Sequence, residues 1–501
     1  MKLLKKITLS MALALGSAYA APHELTVAQS GDPGSWDPID TFMVAWASAG
    51  ASLFDGLVLR DENLQIQPAL AEKWEELDGG KRLRFYLRQG VQFHNGEAFN
   101  AEAVKFSFER LLGEDGKKGP QRSNYTAIDK VEIVDDYTVD LVLNTIDPVL
   151  MTKLSGYGAM IVPPKYIAEK GDEYFNVNPV GTGAFKFESY KGGDRLVLTD
   201  NPNYWGGAPK LKKLTYRFIK ESATALAELQ AGRVDVWHDA SIASVPVIEK
   251  SKDHQVIAVT GPTIMSLQFN LENGITKDVR VRKALNMAVD KQMLIDAFLA
   301  GYASPISSIQ SALSFGYDEN LKGYPYDPAG AKKLLEEAGV PKGTKITIDY
   351  RANNATFGEI VQAMTAFFQE IGLDASVNPV EDGLFLNDMV PNGKTHELFQ
   401  FGWGGWTFDF DNTAYLTYHT GEKWNPYLKS EKMDALLEQQ RQSANQEERL
   451  KLLREVAQLA HDEAYHLPLY NPKALYGVSN KVKGFLAAPD TRVRYFQADV
   501  E

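Results

Sequence analysis

The sequence predicts an α/β protein of two or three domains, and three observations support this prediction. The chain has 501 residues, which is too long for a single hydrophobic core. Segments with the alternating pattern of strands recur between segments with the spacing of amphipathic helices, as in α/β domains. No low-complexity linker separates these segments, so we expect crossing strands to join the domains as a hinge.

Strand patterns predominate in the N-terminal part. Residues 24–30 (ELTVAQS) alternate like a strand and run into a glycine- and proline-containing turn. Further strands are predicted at 81–87, 131–134 and 138–143. Residues 102–112 place Val104, Phe108 and Leu111 on one side of a predicted helix.

Longer helices alternate with strands in the second half. Asp278 is a predicted N-cap for a helix that ends at Gly301 and carries one apolar stripe. The stripe consists of Val281, Leu285, Ala288, Val289 and Ile295. The same reasoning predicts a helix from Pro328 to Gly339, a strand at 345–350 and a helix at 357–371.

The first twenty residues have the features of a secretory signal. Three lysines precede a short apolar stretch, and residues 18–20 (AYA) place small side chains where a signal peptidase cleaves. The apolar stretch is too short to span a membrane. We therefore predict a cleaved signal peptide at 1–20 and a periplasmic mature chain.

Composition excludes several classes of function. The chain contains no cysteine, which excludes disulfides, thiolate metal ligands and a lipid anchor on an N-terminal cysteine. Cleavage of the signal would remove three lysines and no acid, and would make the formal net charge of −12 still more negative. Such a surface argues against nucleic acid as a partner.

The motifs of common enzyme classes are missing from the sequence. It has no Gly-x-Ser-x-Gly elbow, no phosphate loop and no His-Glu-x-x-His. His461 and His466 are separated by about 140° around a helix, so they cannot share a metal there. Asp409 and Asp411 are the remaining candidates, as the carboxylate pair of a secreted hydrolase. We predict that the protein is not an enzyme and retain the hydrolase as an alternative.

Six motifs follow one another along nearly the whole mature chain. They are PALAEKW at 68–74, FHNGEAF at 93–99, NPVGTG at 178–183, DNPNYWGG at 200–207, DVRVRKALN at 278–286 and YDP at 326–328. In this order they resemble the family 5 extracellular solute-binding proteins. These proteins are the dipeptide-, oligopeptide-, glutathione- and nickel-binding components of ABC importers.

The resemblance implies a two-lobed periplasmic-binding-protein fold with a ligand cleft between the lobes. Lobe I would comprise residues 21–262 and 479–501, with an extra subdomain at about 50–175, and lobe II would comprise residues 263–478. Segments near 261–267 and 471–479 would cross between the lobes as the hinge. The glycine turn at 181–183 and the NPNYWGG loop are expected to determine the fold rather than to contact ligand.

The resemblance also implies a function without covalent chemistry. Ligand contacts to both lobes would favour a closed state over an open one. The closed protein would deliver its small-molecule or peptide ligand to an ABC permease in the inner membrane, with ATPase subunits on other chains. We expect a monomer that needs neither cofactor nor metal.

Residues 401–412 (FGWGGWTFDFDN) carry most of the predicted ligand contacts. Trp403 matches the tryptophan of the family's Gly-Trp loop, and Gly404 and Gly405 leave backbone groups open to an extended peptide. The resemblance also implies that Arg351, at the end of a strand, meets a ligand carboxylate. The full predicted set is Phe42, Arg351, Asn353, Trp403, Gly404, Gly405, Trp406 and Asp409.

One position departs from the pattern of the family. Dipeptide-binding relatives carry an aspartate three residues after that tryptophan, where it pairs with the ligand ammonium, and this sequence has Trp406. An aromatic face can hold a cation or stack on a ring, and Asp409 or Asp411 can supply the charge. The leading prediction is an oligopeptide or peptide-like ligand. The alternative is an opine, a glycoside or a metal chelate, with His419 as a candidate nickel ligand.

Overall fold

The computed structural model describes residues 23–501, so the predicted signal peptide at 1–20 lies outside the described residues. The strands in this part of the chain are β1, Glu24–Gln29; β2, Val58–Arg60; β3, Ile66–Pro68; β4, Ala71–Leu77; β5, Arg82–Leu87; β6, Ile128–Asp135; β7, Thr138–Leu143; β8, Phe185–Lys191; β9, Arg195–Asp200; β10, Lys213–Phe218; β11, Val236–His238; β12, His254–Thr260; β13, Thr263–Phe269; β14, Ala303–Pro305; β15, Lys345–Arg351; β16, Asp374–Val380; β17, Leu398–Gly404; β18, His466–Ser479; β19, Val482–Lys483; and β20, Asp499–Val500.

Helices connect most of these strands, as the α/β prediction requires. They are α1, Val44–Leu53; α2, Ala101–Leu112; α3, Glu114–Lys118; α4, Leu150–Leu154; α5, Pro164–Lys170; α6, Asp172–Phe175; α7, Ser222–Gln230; α8, Val245–Glu249; α9, Val279–Met287; α10, Lys291–Leu299; α11, Pro328–Glu337; α12, Ala355–Glu370; α13, Asp382–Leu384; α14, Phe410–Tyr418; α15, Glu431–Gln442; and α16, Gln446–Asp462. Across residues 23–501, every helix is too short or too polar to cross a membrane.

One mixed sheet links strands from both ends of the chain in the order β16-β15-β17-β13-β18-β11-β1-β10-β9-β8. β18 is the junction of this sheet, because His466–Tyr470 pairs with β13 and Lys473–Ser479 pairs with β12. β12 and β13 follow each other across Gly261. The Asn471 amide donates to the carbonyls of Gly261 and Thr263, at 3.1 and 2.5 Å. Two crossing segments therefore join the two groups of strands, and their motion as a hinge remains a prediction.

A separate antiparallel sheet, β4-β5-β7-β6, lies within the segment predicted as an extra subdomain. Helix α2 packs against it and begins at Asn100, whose side chain accepts a hydrogen bond from the N–H of Ala103 at 3.3 Å. The apolar faces of the sheet and the helix form one buried core, which includes Phe85, Phe108, Val139 and Leu141. This region therefore has a core of its own, although the boundaries at 50 and 175 remain predictions.

The helix predicted from Asp278 to Gly301 is divided into α9 and α10. Asp278 caps α9 as predicted, but the helix ends before Ala288. Asp290 then caps α10 by accepting a hydrogen bond from the N–H of Met293 at 2.9 Å. This second capping aspartate starts a new helix within the predicted one. The predicted apolar stripe is nevertheless buried along α9, the break and α10: Val281, Leu285, Ala288, Val289 and Ile295.

Two of the sequence motifs meet at the buried carboxylate of Asp55. Its oxygens accept hydrogen bonds from the hydroxyl of Thr182 at 2.8 Å, the hydroxyl of Tyr204 at 3.2 Å and the indole N–H of Trp205 at 2.9 Å. Gly183 lies so close to the chain after α1 that an added Cβ would stand 2.4 Å from a backbone oxygen. The glycine turn and the NPNYWGG loop thus hold the fold together around one carboxylate.

Candidate ligand-binding site

A cavity of about 1090 Å³ lies between parts of the chain that are distant in sequence. Residues within 42–60, 121–157 and 490–492 line it from the N-terminal and C-terminal parts, and residues within 262–263 and 403–442 line it from the middle of the chain. Its volume is at the upper end of the range for small-molecule sites. It is therefore the candidate ligand site.

The FGWGGWTFDFDN stretch forms a strand end, a tight turn and a helix start at this cavity. After β17, the N–H of Trp406 donates to the carbonyl of Gly404 at 2.6 Å, and that of Phe408 donates to the carbonyl of Gly405 at 2.7 Å. Asp409 then caps α14. The glycine pair therefore serves the turn, in which Gly404 lines the cavity and Gly405 is buried outside its lining.

Trp403 and Trp406 both line the cavity but have different neighbours. The indole N–H of Trp403 donates to the side-chain oxygen of Asn412 at 2.9 Å. The Trp406 ring packs edge-on against Phe42, with ring centroids 5.7 Å apart. It also lies against Gly156, where an added Cβ would stand 2.8 Å from the indole. Trp406 therefore reaches across the cavity and contacts Phe42 and Gly156, which belong to the part of the chain before the proposed hinge segments.

Arg60 makes polar contacts across the same cavity, to the turn after β17. Its guanidinium donates to the backbone carbonyl of Trp406 at 2.8 Å and to that of Thr407 at 3.2 Å. It also lies 5.0 Å from the centroid of the Phe408 ring. These contacts hold the turn after β17 against strand β2, so the two sides of the cavity touch at Arg60.

A second arginine, Arg492, shares a carboxylate with Arg60. Asp490 lies 2.7 Å from Arg492 and 3.5 Å from Arg60, and all three side chains are buried. Burial, followed by repulsion from Arg492, lowers the pKa of Arg60 to about 9. Two guanidinium groups therefore line the cavity beside one carboxylate.

Asp411 and Arg441 form an ion pair at another part of the lining. The guanidinium donates to both carboxylate oxygens, at 2.7 and 3.0 Å, and stacks 3.2 Å from the ring centroid of Tyr415. Asp409 is turned away and is buried in a bidentate pair with Arg449, with both contacts at 2.6 Å. Each aspartate is thus held by its own arginine, and Asp409 does not line the cavity.

The structure places Arg351 and Asn353 outside the lining of the cavity. At the end of β15 the Arg351 guanidinium donates to Asp382 at 2.6 Å and makes a second contact with the same carboxylate. This pair holds the pKa of the Asp382 carboxyl below its usual range. The structure therefore brings Phe42, Trp403, Gly404 and Trp406 together. The binding roles predicted for Arg351, Asn353, Gly405 and Asp409 remain predictions without a place at this cavity.

His419, the candidate nickel ligand, stacks on Tyr415 with ring centroids 4.3 Å apart and lies 3.2 Å from Glu438. Within residues 23–501, no three histidine, aspartate or glutamate side chains are grouped so that they could hold a metal ion. His419 is therefore placed by an aromatic contact with Tyr415 and a hydrogen bond with Glu438.

Sequence reasoning did not identify Arg60, Asp490, Arg492 or Arg441 as site residues. The one available signal was at Arg60, a charged residue in a strand that is otherwise apolar (Val58-Leu59-Arg60). The other three depend on which distant segments meet. That information is absent from local patterns.

Comparison with known proteins shows the family to which the chain is related. Residues 65–425 match the bacterial extracellular solute-binding proteins, family 5 middle. The chain is 27% identical over 513 residues to the glutathione-binding protein GsiB of Salmonella typhi, covering 100% of this chain and 99% of the relative. It is 31% identical over 454 residues to heme-binding protein A of Haemophilus influenzae, covering 85% and 82%.

A solved structure shows the same fold. The periplasmic binding protein DppA of Helicobacter pylori, in complex with the peptide STSA, superposes with a TM-score of 0.78 at 27% identity. The superposition covers 95% of this chain and 98% of that one. The two-lobed α/β fold predicted from the sequence is therefore confirmed, and the family match spans most of the chain. The protein belongs to family 5 of the bacterial extracellular solute-binding proteins.

Proposed function

We propose that this protein binds an oligopeptide or peptide-like ligand in the cavity between its lobes and presents it to the permease of an ABC importer. The observation that carries the proposal is the composition of the cavity, which both groups of strands line. Arg60 and Trp406 join its two sides across the gap. A ligand that contacts both sides favours closure, because it has more contacts in the closed state than in the open one.

The free edge of β17 favours a peptide ligand. Among residues 23–501, β17 pairs along its whole length with β13, but its other side pairs with β15 only at Leu398 and Phe399. Beyond Phe399 the strand leads to Trp403 and Gly404 at the cavity. An extended peptide can add to such an edge through backbone hydrogen bonds, while side-chain pockets give specificity.

The relatives support the same ligand class. Glutathione is a tripeptide derivative, and DppA was solved with a four-residue peptide. A cavity of about 1090 Å³ has room for molecules of that size. Glutathione and short peptides are therefore the first compounds to test.

A non-peptide ligand is the second candidate, and the aromatic lining favours it. Phe42, Tyr157, Trp403 and Trp406 all line the cavity, and such rings accept a sugar or another flat group as readily as a peptide side chain. An opine, a glycoside or a metal chelate would belong to this class.

The remaining parts of the proposal concern partners and location. We infer a mature periplasmic monomer, formed by cleavage after residue 20, that has no enzymatic activity and binds no nucleic acid. The proposed hinge lies at 261–267 and 471–479, between lobe I (21–262 and 479–501) and lobe II (263–478). The proposed hinge is supported by strand β18, which pairs with β11 on one side of the sheet's junction and with β13 on the other.

Native mass spectrometry of the purified mature chain tests the ligand class first, since a tightly bound ligand co-purifies. A thermal-shift panel then compares glutathione and trialanine with a monosaccharide and nickel(II)-histidine. A ligand present at 100 times its Kd stabilises the folded state by about 2.7 kcal/mol. If the peptides leave the Tm unchanged while the sugar or the chelate raises it, the peptide proposal is wrong and the second candidate replaces it.

A further inference from the structure

Three buried polar atoms without a hydrogen-bond partner lie at one end of the interlobe cavity. They are the hydroxyl oxygen of Thr407, Nε of Arg60 and Nη2 of Arg492, and all three residues line the cavity. The two arginine atoms lie 3.5 and 2.7 Å from Asp490 Oδ2, but without the alignment of a hydrogen bond. Their positions are linked, because Arg60 and Arg492 contact the same carboxylate of Asp490 and Arg60 donates to the carbonyl of Thr407. Buried polar groups in native proteins are nearly always hydrogen-bonded, whereas here one carboxylate serves two guanidinium groups and the Thr407 hydroxyl has no partner.

The charges at this point are also unbalanced. In the described part of the chain, Asp490 is the one carboxylate within 4 Å of either Arg60 or Arg492. The lowered pKa of Arg60, caused by burial and then by Arg492, reflects the same excess of positive charge. A buried charge without a counter-charge is costly, and an anion would remove that cost.

The other cations of the cavity lack this excess. Lys153 is paired with Asp147 at 2.6 Å, and Arg441 is held by both oxygens of Asp411. Arg351, which the sequence suggested as a carboxylate partner, is paired with Asp382 away from the cavity. Each of these cations already has its own carboxylate. Arg60 and Arg492, which share one carboxylate, are therefore the remaining candidates for binding an anion.

Closure of the cleft explains how an anion reaches these residues. The two hydrogen-bonding groups that Arg60 uses besides Asp490 are neutral backbone carbonyls of Trp406 and Thr407, on the opposite side of the gap. When the lobes separate, those carbonyls leave and the guanidinium faces the cleft. A carboxylate that enters then would be enclosed between Arg60 and Thr407 when the lobes close again.

We propose that Arg60, Arg492 and Thr407 form an anion subsite that binds a carboxylate of the ligand at the junction of the lobes. This inference rests on the proposed interlobe ligand site. It adds that the ligand carries a carboxylate, which these three residues bind when the lobes close. The ligand class is thereby narrowed to acids, such as peptides with a free carboxyl group.

The first experiment compares trialanine with trialanine amide by isothermal titration calorimetry on the mature protein. The wild type is expected to bind the acid at least about tenfold more tightly than the amide, since a hydrogen bond to a charged group contributes about 1.5–3 kcal/mol. Thr407→Val and Arg492→Gln should reduce this ratio to near one. Lys153→Gln is the matched control, because Lys153 lines the same cavity but is paired with its own carboxylate, Asp147.

A second experiment does not depend on peptide binding. Sodium acetate, compared with sodium chloride at equal ionic strength, should raise the Tm of the wild type and of Lys153→Gln but not that of Thr407→Val or Arg492→Gln. Each variant is compared with its own Tm in chloride, so a general loss of stability does not affect the comparison. If Arg492→Gln does not fold, the acetate experiment relies on Thr407→Val, which changes no charge.

The outcomes separate the two proposals. Equal binding of acid and amide by the wild type overturns the anion subsite and leaves the peptide proposal intact. If neither tripeptide binds, the peptide proposal loses support and the acetate experiment decides the subsite. An acetate effect that requires Arg492 and Thr407 supports the subsite, and no acetate effect overturns it.

Discussion

The guanidinium of Arg60 donates a hydrogen bond of 2.8 Å to the backbone carbonyl of Trp406, which lies 346 positions further along the chain. One residue belongs to a short strand near the N-terminus, and the other to the turn after β17. The bond therefore joins the two sides of the cavity through protein groups alone.

Replacement of Arg60 by methionine should shift the protein towards an open form. The variant Arg60→Met keeps most of the side-chain volume but loses both bonds to the turn after β17. We expect a larger radius of gyration in small-angle scattering of the ligand-free protein. We also expect about tenfold weaker ligand binding, because bonds from charged donors contribute about 1.5–3 kcal/mol each. Lys153→Met is the control, because Lys153 lines the same cavity but pairs with Asp147. Identical scattering curves for Arg60→Met and wild type would contradict the role of Arg60.

Replacement of Trp406 by aspartate should change which ligands bind. Position 406 is where the resemblance places the ammonium-binding aspartate of dipeptide binders, and here its indole packs on Phe42 instead. We expect Trp406→Asp to bind free dipeptides at least about tenfold more tightly than the wild type, since a close ion pair in a partly buried site is worth more than one at the surface. Titration calorimetry with alanyl-leucine measures this. Trp403→Phe serves as the control for loss of an aromatic ring at the same wall.

The buried pair of Asp409 and Arg449 should contribute to stability and not to chemistry. Their side chains are 9% and 1% exposed, so Asp409→Asn leaves Arg449 buried without a counter-charge. We expect a loss of about 3–5 kcal/mol in the free energy of unfolding, measured by urea denaturation. Asp411→Asn should cost less, because its partner Arg441 is 41% exposed and can be solvated. A stable Asp409→Asn variant with altered turnover of a peptide or glycoside would instead favour the hydrolase alternative.

Three buried histidines should make the fold sensitive to acid. Burial lowers the pKa of His94 to about 4, and burial lowers the pKa of His238 and of His466 to about 3. Below the unfolded pKa of about 6.5 the unfolded chain takes up protons that the folded chain excludes. Stability is therefore complete above about pH 6.5 and falls by up to about 1.4 kcal/mol per pH unit for each histidine as the pH decreases towards the folded pKa values.

The pH dependence can be assigned with a variant. We expect His238→Phe to reduce the slope of unfolding free energy against pH between about pH 6.5 and 5 by up to about 1.4 kcal/mol per pH unit, because one such group is removed. The slope is the measured quantity, since loss of the 2.6 Å contact between His238 and the Tyr495 hydroxyl also lowers stability at every pH. An unchanged slope in His238→Phe would contradict the assignment, and the partly exposed His254 provides the control position.

Local signals in the sequence predicted much of the fold. Asp278 caps its helix, as expected for a short acceptor side chain before an apolar stripe, and the strand at 345–350 and the helix at 357–371 occur within a residue or two of their predicted ends. The break between α9 and α10 was missed because the stripe continues across it, and the burial pattern outweighed the cap at Asp290. Periodicity reports which face is buried more reliably than where a helix stops.

The candidate site was less predictable, because its residues meet only through tertiary structure. Trp403 and Trp406 were found through a compact motif in which all members are close in sequence. Arg351 was expected at the ligand, but a carboxylate thirty-one positions away takes up its guanidinium. The subsite around Arg60 and Arg492 combines the beginning and the end of the chain, and no local pattern connects them.

The position of β18 in the sheet has a consequence for the order in which the molecule can form. This strand, residues 466–479, stands between the two groups of strands, yet it is made after more than nine tenths of the chain. Neither group can complete its side of the shared sheet while the ribosome is still adding the residues before it. The sheet that joins the two groups of strands therefore stays incomplete until the last segment of the polypeptide emerges.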